Sequence, residues 1–206
     1  MIILNKEQIN KIVTMDEAIE AMKTAFIQLS NRKAIIPKRL STDIPNKNAT
    51  SLVMPAYSLE SPYYTVKVVS VNYFNPQKGL PLLHSSVQVF DASKGNMVAT
   101  MDGESITTIR TGAASGLATD MLARKDARVV AVFGTGVQAK SQLEAILAVR
   151  NMEKILVYSR AKKSAELFCN LIYDTFGIKT IVGNKDLLEE SDVICTATPS
   201  EKPLFD

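Results

Sequence analysis

The chain has 206 residues, enough for one large domain or two modest ones, and its 46% apolar content is that of a globular protein. A formal net charge of +3, with no Lys/Arg cluster interleaved with aromatics, points away from a nucleic-acid partner. No apolar run reaches the length of a membrane span, and Met1–Leu4 is too short for a signal peptide and has no basic stretch before it, so no membrane partner is expected.

In chain order, Thr14-x-x-Glu17 is a capping box, and Ile19, Met22, Phe26 and Leu29 behind it recur at helical spacing to about Asn31. The next region is β-rich, with runs at Arg39–Ile44, Thr50–Met54, Tyr64–Asn72, Leu83–Phe90 and Met97–Met101. They are separated by turns at Pro45-Asn46, Ser61-Pro62, Asn75-Pro76 and Ser93–Asn96. A helix over Glu104–Ala123 is rich in small residues (Gly112, Ala113, Ala114, Ser115, Gly116, Ala118), which let another backbone or a ligand come close.

The pattern changes near Lys125, and a domain boundary is expected at residues 124–127. Val129–Phe133 is a short, wholly apolar run, as for a parallel strand covered on both faces. Helix (Val137–Arg150), strand (Lys154–Tyr158), helix (Lys162–Phe176, stopped by Gly177), strand (Lys179–Val182), short helix (Lys185–Glu190) and strand (Val193–Thr196) follow. This alternation predicts a doubly wound parallel sheet. A full dinucleotide fold has about six strands, and the chain ends soon after the fourth, so it reads as a fragment. Cys169 and Cys195 lack metal-ligand spacing and read as free core thiols, which suits a reducing, cytoplasmic setting; no metal site is expected.

Val129–Phe133 runs into Gly134-x-Gly136-x-x-Ala139 and then a helix. The first glycine permits the sharp turn, the second lets the backbone approach a pyrophosphate, and the small third residue lets helix and strand pack closely. The helix N-terminus would then face the phosphates. Strand context before the turn and helix context after it give this motif its weight. An NAD site calls for an acid at the end of the second strand, yet Tyr158-Ser159-Arg160 stands there, followed by Lys162 and Lys163. Ser159 and Arg160 suit a 2′-phosphate, so NADP is favoured over NAD; the alternative is a solvated basic helix start.

Three polar residues stand in apolar settings. Lys67 shares a strand face with Val69 and Val71, directed either to solvent or into a cleft. Arg110 shares a helical stripe with Ile106, Ala113, Ala114 and Leu117 and has no acid at i±3 or i±4, so it awaits either an external anion or a cross-domain ion pair. His84 reads as a structural strand residue. There is no Gly-x-Ser-x-Gly and no Ser/His/Asp set.

Several segments then combine: Met54-Pro55-Ala56, Lys67, Val87-Gln88-Val89-Phe90-Asp91 through Gly95, and Met101-Asp102-Gly103. With Ile106-Thr107-Thr108-Ile109-Arg110-Thr111-Gly112-Ala113-Ala114-Ser115 and Gly134-Thr135-Gly136-Val137-Gln138-Ala139 they resemble, in order along the whole chain, the ornithine cyclodeaminase/mu-crystallin family. The resemblance implies a mixed α+β substrate and homodimerisation domain (1–124) followed by a Rossmann domain (125–206 being its first part), with the active site in the cleft between them. It implies that Arg39, Lys67 and Arg110 hold the carboxylate of a small amino or imino acid beside the nicotinamide, Lys67 also serving in catalysis. Thr111, Val137, Gln138, Ser159, Arg160 and Thr198 match cofactor-contacting positions, beside the turn residues Gly134, Gly136 and Ala139. The implied reaction is redox-neutral conversion of ornithine to proline and ammonia; relatives reduce cyclic imines such as pyrroline-2-carboxylate or oxidise an amino acid, and the crystallin branch suggests binding without turnover. Two departures stand out. A glutamate expected just before Met54-Pro55 is replaced by Leu52-Val53, which weakens the case for a substrate with a second amine. The family's catalytic aspartate lies in a Gly-x-Asp segment beyond the fourth Rossmann strand, where this chain has already stopped.

Overall fold

The structure, a computed structural model, describes residues 1–205, and the chain forms two compact units. One comprises Met1–Thr14 and Lys23–Thr107, the other Met15–Met22 and Thr108 onward.

In the first unit, β1 (Ile2–Leu4), α1 (Lys6–Ile12) and the later part of α2 (Met15–Ser30) precede β2 (Ala34–Ile35), β3 (Leu40–Ile44), β4 (Ala49–Ser58), β5 (Tyr63–Asn72), β6 (Leu83–Asp91) and β7 (Met97–Asp102). The seven strands form one sheet in the order β1-β7-β6-β5-β4-β2, with β3 also pairing β4. Pairing is antiparallel except for β1 on β7. The β6–β7 hairpin is closed by the Asp91 carboxylate, which accepts from the backbone N–H and hydroxyl of Ser93 and from Lys94 N–H, while Gly95 takes a φ of +75°. The short elements β1, α1 and β2 go beyond the sequence expectations. A signal for α1 was present: Asn5-x-x-Gln8 is a reciprocal capping box, both bonds 2.9 Å, set just before the buried Ile9.

The small-residue helix, α3 (Gly103–Leu122), begins in the first unit and continues into the second. Its start is tied down by Asp102, whose carboxylate accepts from Ser105 N–H at 2.8 Å and Ser105 Oγ–H at 2.5 Å. A Cβ on Gly103 would lie 2.7 Å from the Ser85 backbone, so only glycine lets the helix press onto β6.

The second unit adds β8 (Val129–Phe133), α4 (Val137–Val149), β9 (Lys154–Tyr158), α5 (Lys162–Phe176), β10 (Lys179–Val182), α6 (Lys185–Leu188) and β11 (Val193–Thr196). All pairs are parallel, in the order β10-β9-β8-β11. This is the Rossmann arrangement, in which the first strand of the unit is flanked by the second and the fourth. Alternate side chains go to opposite faces. Val130, Val132, Ile155 and Val157 pack with Leu143 and Ile146 of α4 and Phe168 and Ile172 of α5, while Ala131, Phe133 and Leu156 face the other way.

Within this unit the small residues of α3 admit a backbone, that of α4. A Cβ on Gly112 would lie 2.5 Å from Ser141 O, and one on Gly116 would lie 2.9 Å from Ala145 O and from Ile19 Cδ1. This contact explains why the compact units divide inside α3, at Thr107/Thr108. The change of pattern at 124–127 coincides with the approach to β8. The α3 C-terminus is held by Arg150, buried despite its charge. Its guanidinium donates to the carbonyls of Thr119 (3.1 Å), Asp120 (2.7 Å) and Ala123 (3.1 Å) and to the Asp120 carboxylate (2.8 Å). Among the described residues no helix is long and apolar enough to cross a membrane, and no group of three or more His, Cys, Asp or Glu is placed to hold a metal ion.

Candidate functional site

The turn after β8 has the geometry its glycines predict. Gly134 takes a φ of +112°, where L side chains are strained, and a Cβ there would lie 2.4 Å from Ala197 O. Gly136 is the N-cap of α4 and gives no side-chain cap, so the first-turn N–H groups lack the usual hydroxyl or carboxylate acceptor. A Cβ on Gly136 would meet nothing within 4 Å, so the space before the helix N-terminus is open. Ala139 is fully buried in the core beneath α4, which makes its smallness a packing requirement. One residue earlier, Gln138 Oε1 is buried without a hydrogen-bond partner, an acceptor that a bound group can satisfy.

Around this turn lies a cavity of about 360 Å³, lined by Gly134, Thr135, Gly136, Ser159, Arg160, Ala197, Thr198, Pro199, Ser200 and Leu204. The structure thus gathers Gly134, Gly136, Ser159, Arg160 and Thr198, five of the expected cofactor positions, around one opening. Val137, Gln138, Ala139 and Thr111 do not line it. Thr135, Ala197, Pro199 and Ser200 were not singled out from sequence. The signal for them is topological: β11 lies beside β8, so the loops following both strands flank the same crevice at the switch point of the sheet. Ala197 N–H donates to Phe133 O at 2.7 Å and fixes that approach.

At the outer end of the cavity Ser159 and Arg160 are exposed, and Arg160 makes no ion pair among the described residues. Among the described residues no carboxylate lines the opening. The cavity therefore accepts a dinucleotide chemically: uncapped N–H groups for phosphates, an unfilled backbone cradle and a cation for any further anionic group.

Cys195 is one strand away but is no nucleophile. Burial pushes its thiol up to about 11, and Sγ donates to Gln142 Oε1 at 3.0 Å, an oxygen that also accepts from Ser115 Oγ at 3.1 Å. His84 Nδ1 lies 3.5 Å from Glu104 Oε1 in an exposed pair.

The three expected carboxylate-binding cations are divided between the two units. In the first, Lys67 is half-buried on β5, opposite Met54 of β4 and Val87 of β6, and its ammonium donates to Thr107 Oγ1. The solvent-facing alternative for Lys67 is thereby replaced by an anchored one. Its nearest register neighbours on that sheet face are Leu52, Met54 and Ala56 of β4 and Ser85, Val87 and Val89 of β6, none of them acidic. Arg39 is exposed just before β3, and no hydrogen bond or ion pair ties it to the described residues. In the second unit Arg110 is likewise exposed on α3 without such a partner, and Thr111 follows it, half-buried.

Comparison with known proteins bears on this geometry. The ornithine cyclodeaminase/mu-crystallin family profile matches residues 1–206. A Delta(1)-pyrroline-2-carboxylate reductase of Bacillus cereus is 35% identical over all of this chain and 64% of its own length. The Delta(1)-pyrroline-2-carboxylate reductase of Thermococcus litoralis, solved with NADH and L-proline, superposes with a TM-score of 0.89 at 39% identity, over 99% of this chain and 64% of that one. An archaeal alanine dehydrogenase, solved as a dimer with bound NAD, gives a TM-score of 0.90 at 33% identity, over 100% of this chain and 62% of that one. The chain thus spans a little under two thirds of the length of these relatives.

Proposed function

Because the chain belongs to the ornithine cyclodeaminase/mu-crystallin family, we propose that it carries the cofactor-binding turn of a nicotinamide-dependent enzyme that transfers hydride at the Cα of a small amino or imino acid. The observation that carries this reading is the uncapped Gly134-x-Gly136 turn at the β8/β11 switch point, opening into the cavity lined by Ser159, Arg160 and Thr198. When bound, the cofactor supplies a hydride donor or acceptor at its nicotinamide ring. The chain's own residues bind and orient. The first turn of α4 holds the pyrophosphate through its free N–H groups. Arg39, Lys67 and Arg110, matched to the family's motifs, hold the substrate carboxylate; two guanidinium forks and an ammonium suit that anion and fix the attached Cα. Lys67 Nζ also carries the proton at the amine or imine nitrogen.

Reduction of a cyclic imino acid such as pyrroline-2-carboxylate is the direction best supported. Ring closure of ornithine requires a place for a second amine, yet Leu52 and Met54 on the Lys67 face are apolar, and no carboxylate stands beside them in the sheet register. The relatives named as pyrroline-2-carboxylate reductases agree. Ornithine cyclodeamination is the alternative within the family, amino-acid oxidation a further one, and binding without turnover the alternative of another class. NADP is proposed on the strength of Ser159 and Arg160; because the solved relatives hold NADH or NAD, that preference rests on these two residues. A homodimer through the first unit is supported by its exposed apolar residues Ile35, Ile36, Leu40 and Leu59 and by the dimeric alanine dehydrogenase.

The experiment is to incubate the full-length protein with pyrroline-2-carboxylate and NADPH or NADH, and separately with ornithine and NAD+ or NADP+. Loss of reduced cofactor in the first mixture alone supports the reductase. Proline and ammonia from the second would replace it with the lyase. Cofactor binding with silence in both would favour the binding protein.

A further inference from the structure

We infer that Thr107 is a positioning residue for Lys67: its hydroxyl serves as a fixed acceptor that aims the ammonium. The inference rests on the role proposed for Lys67 above, and the positioning itself is testable without it. Thr107 Oγ1 donates its single proton to Gly103 O at 2.6 Å, one turn earlier in α3, so its lone pairs are left for an incoming N–H. The Lys67 ammonium supplies that N–H.

The frame behind this contact is tied together by hydrogen bonds, strand register and close packing. Asp102 caps the first turn of α3 through Ser105, which is itself buried. Gly103 is pressed onto Ser85 and Ser86 of β6, with no room for a Cβ. Lys67 stands on β5, the next strand, in register with Val87 of β6, which is in turn in register with Met101 of β7, just before the cap. The strand that carries the lysine and the helix turn that carries the threonine are therefore fixed to the same β6 backbone. A lysine has four rotatable side-chain bonds and a freely rotating ammonium. One anchored N–H removes much of that freedom and fixes the direction from which the ammonium meets its other partners. A helix-interior threonine bonded only to its i−4 carbonyl would have no such consequence for Lys67.

The test compares wild type with Thr107→Val and Thr107→Ser in the full-length protein. Trace acetic anhydride labelling, read by mass spectrometry, gives the reactivity of Lys67 relative to the other lysines, with thermal melts as the check on folding. Thr107→Val should raise the relative Lys67 labelling rate by about fivefold or more, because the charged ammonium loses an acceptor, and Thr107→Ser should stay near wild type. Unchanged Lys67 labelling in a folded Thr107→Val protein would overturn the inference. Thr107→Ala answers the same question if valine perturbs the melt. In the imine-reduction assay, Thr107→Val should lower kcat/KM for the imino acid about tenfold, with the KM for the cofactor unchanged and with rescue by serine. Altered labelling with unaltered kinetics would overturn a role in turnover. If wild type reduces no imino acid, the proposed activity fails, while the labelling result still decides whether Thr107 aims Lys67.

Discussion

Arg160 and Arg110 are exposed cations with no bonded partner among the described residues, and their exposure makes them clean probes. A guanidinium that holds a 2′-phosphate discriminates between cofactors differing only in that group. Arg160→Ala should therefore weaken NADPH by roughly 10- to 100-fold and NADH by less than about twofold, measured by fluorescence titration; equal losses would remove the phosphate role. Arg110→Ala should raise the KM for the imino acid or abolish turnover while the melting temperature stays put, because no hydrogen bond or ion pair among the described residues is lost. The cofactor turn was legible residue by residue, since glycine spacing between a strand and a helix constrains the backbone itself. Thr107 was not, because its meaning lies in a contact with Lys67 forty positions away, and nothing local to either residue announces it.

Between elements, the α3–α4 contact is the most exacting feature of the second unit. Gly116→Val would drive side-chain atoms into the Ala145 backbone and should cost about 1–3 kcal/mol or more in chemical denaturation. Arg150→Met should cost about 2–4 kcal/mol, because it strips the α3 carbonyls and Asp120 of a buried donor. Asp192, just before β11, accepts from Arg128 N–H at 2.7 Å and Val129 N–H at 3.0 Å and pairs with Arg124. The Arg128 and Val129 N–H groups, foremost, hold its carboxyl below the ordinary carboxylate range. A depressed folded value means the stabilisation is complete above the unfolded pKa of about 3.9 and is lost as pH falls through the folded one. Asp192→Asn should lower the melting temperature at neutral pH, and its gap to wild type should close as the pH drops below about 4. The long, periodic elements were readable from sequence. The short ones, β1, α1 and β2, were not, because two or three residues carry too little periodicity and tertiary pairing decides them. The small-residue stripe of α3 left backbone and ligand as equal readings, and only the proximity of α4 separates them.

For the whole molecule, the Rossmann strand order with its glycine turn and the meander of the first unit each follow from a pattern the sequence displays: βαβ alternation in one, turn-punctuated strands in the other. The division inside α3 does not, since a single uninterrupted helix serves both units. The exposed apolar residues of the first unit predict self-association: sedimentation velocity of the full-length protein at micromolar concentration should give a dimer, and a monomer would refute it. The proposed reaction transfers hydride to Cα of a carboxylate-anchored imino acid from a cofactor held at the Gly134–Gly136 turn. Its most direct measurement is mass spectrometry of the product after incubating the full-length protein with pyrroline-2-carboxylate and NADPH deuterated at the transferable C4 position. Proline carrying one deuterium at Cα is the predicted result. Unlabelled proline, or no proline while NADPH still binds, would contradict it.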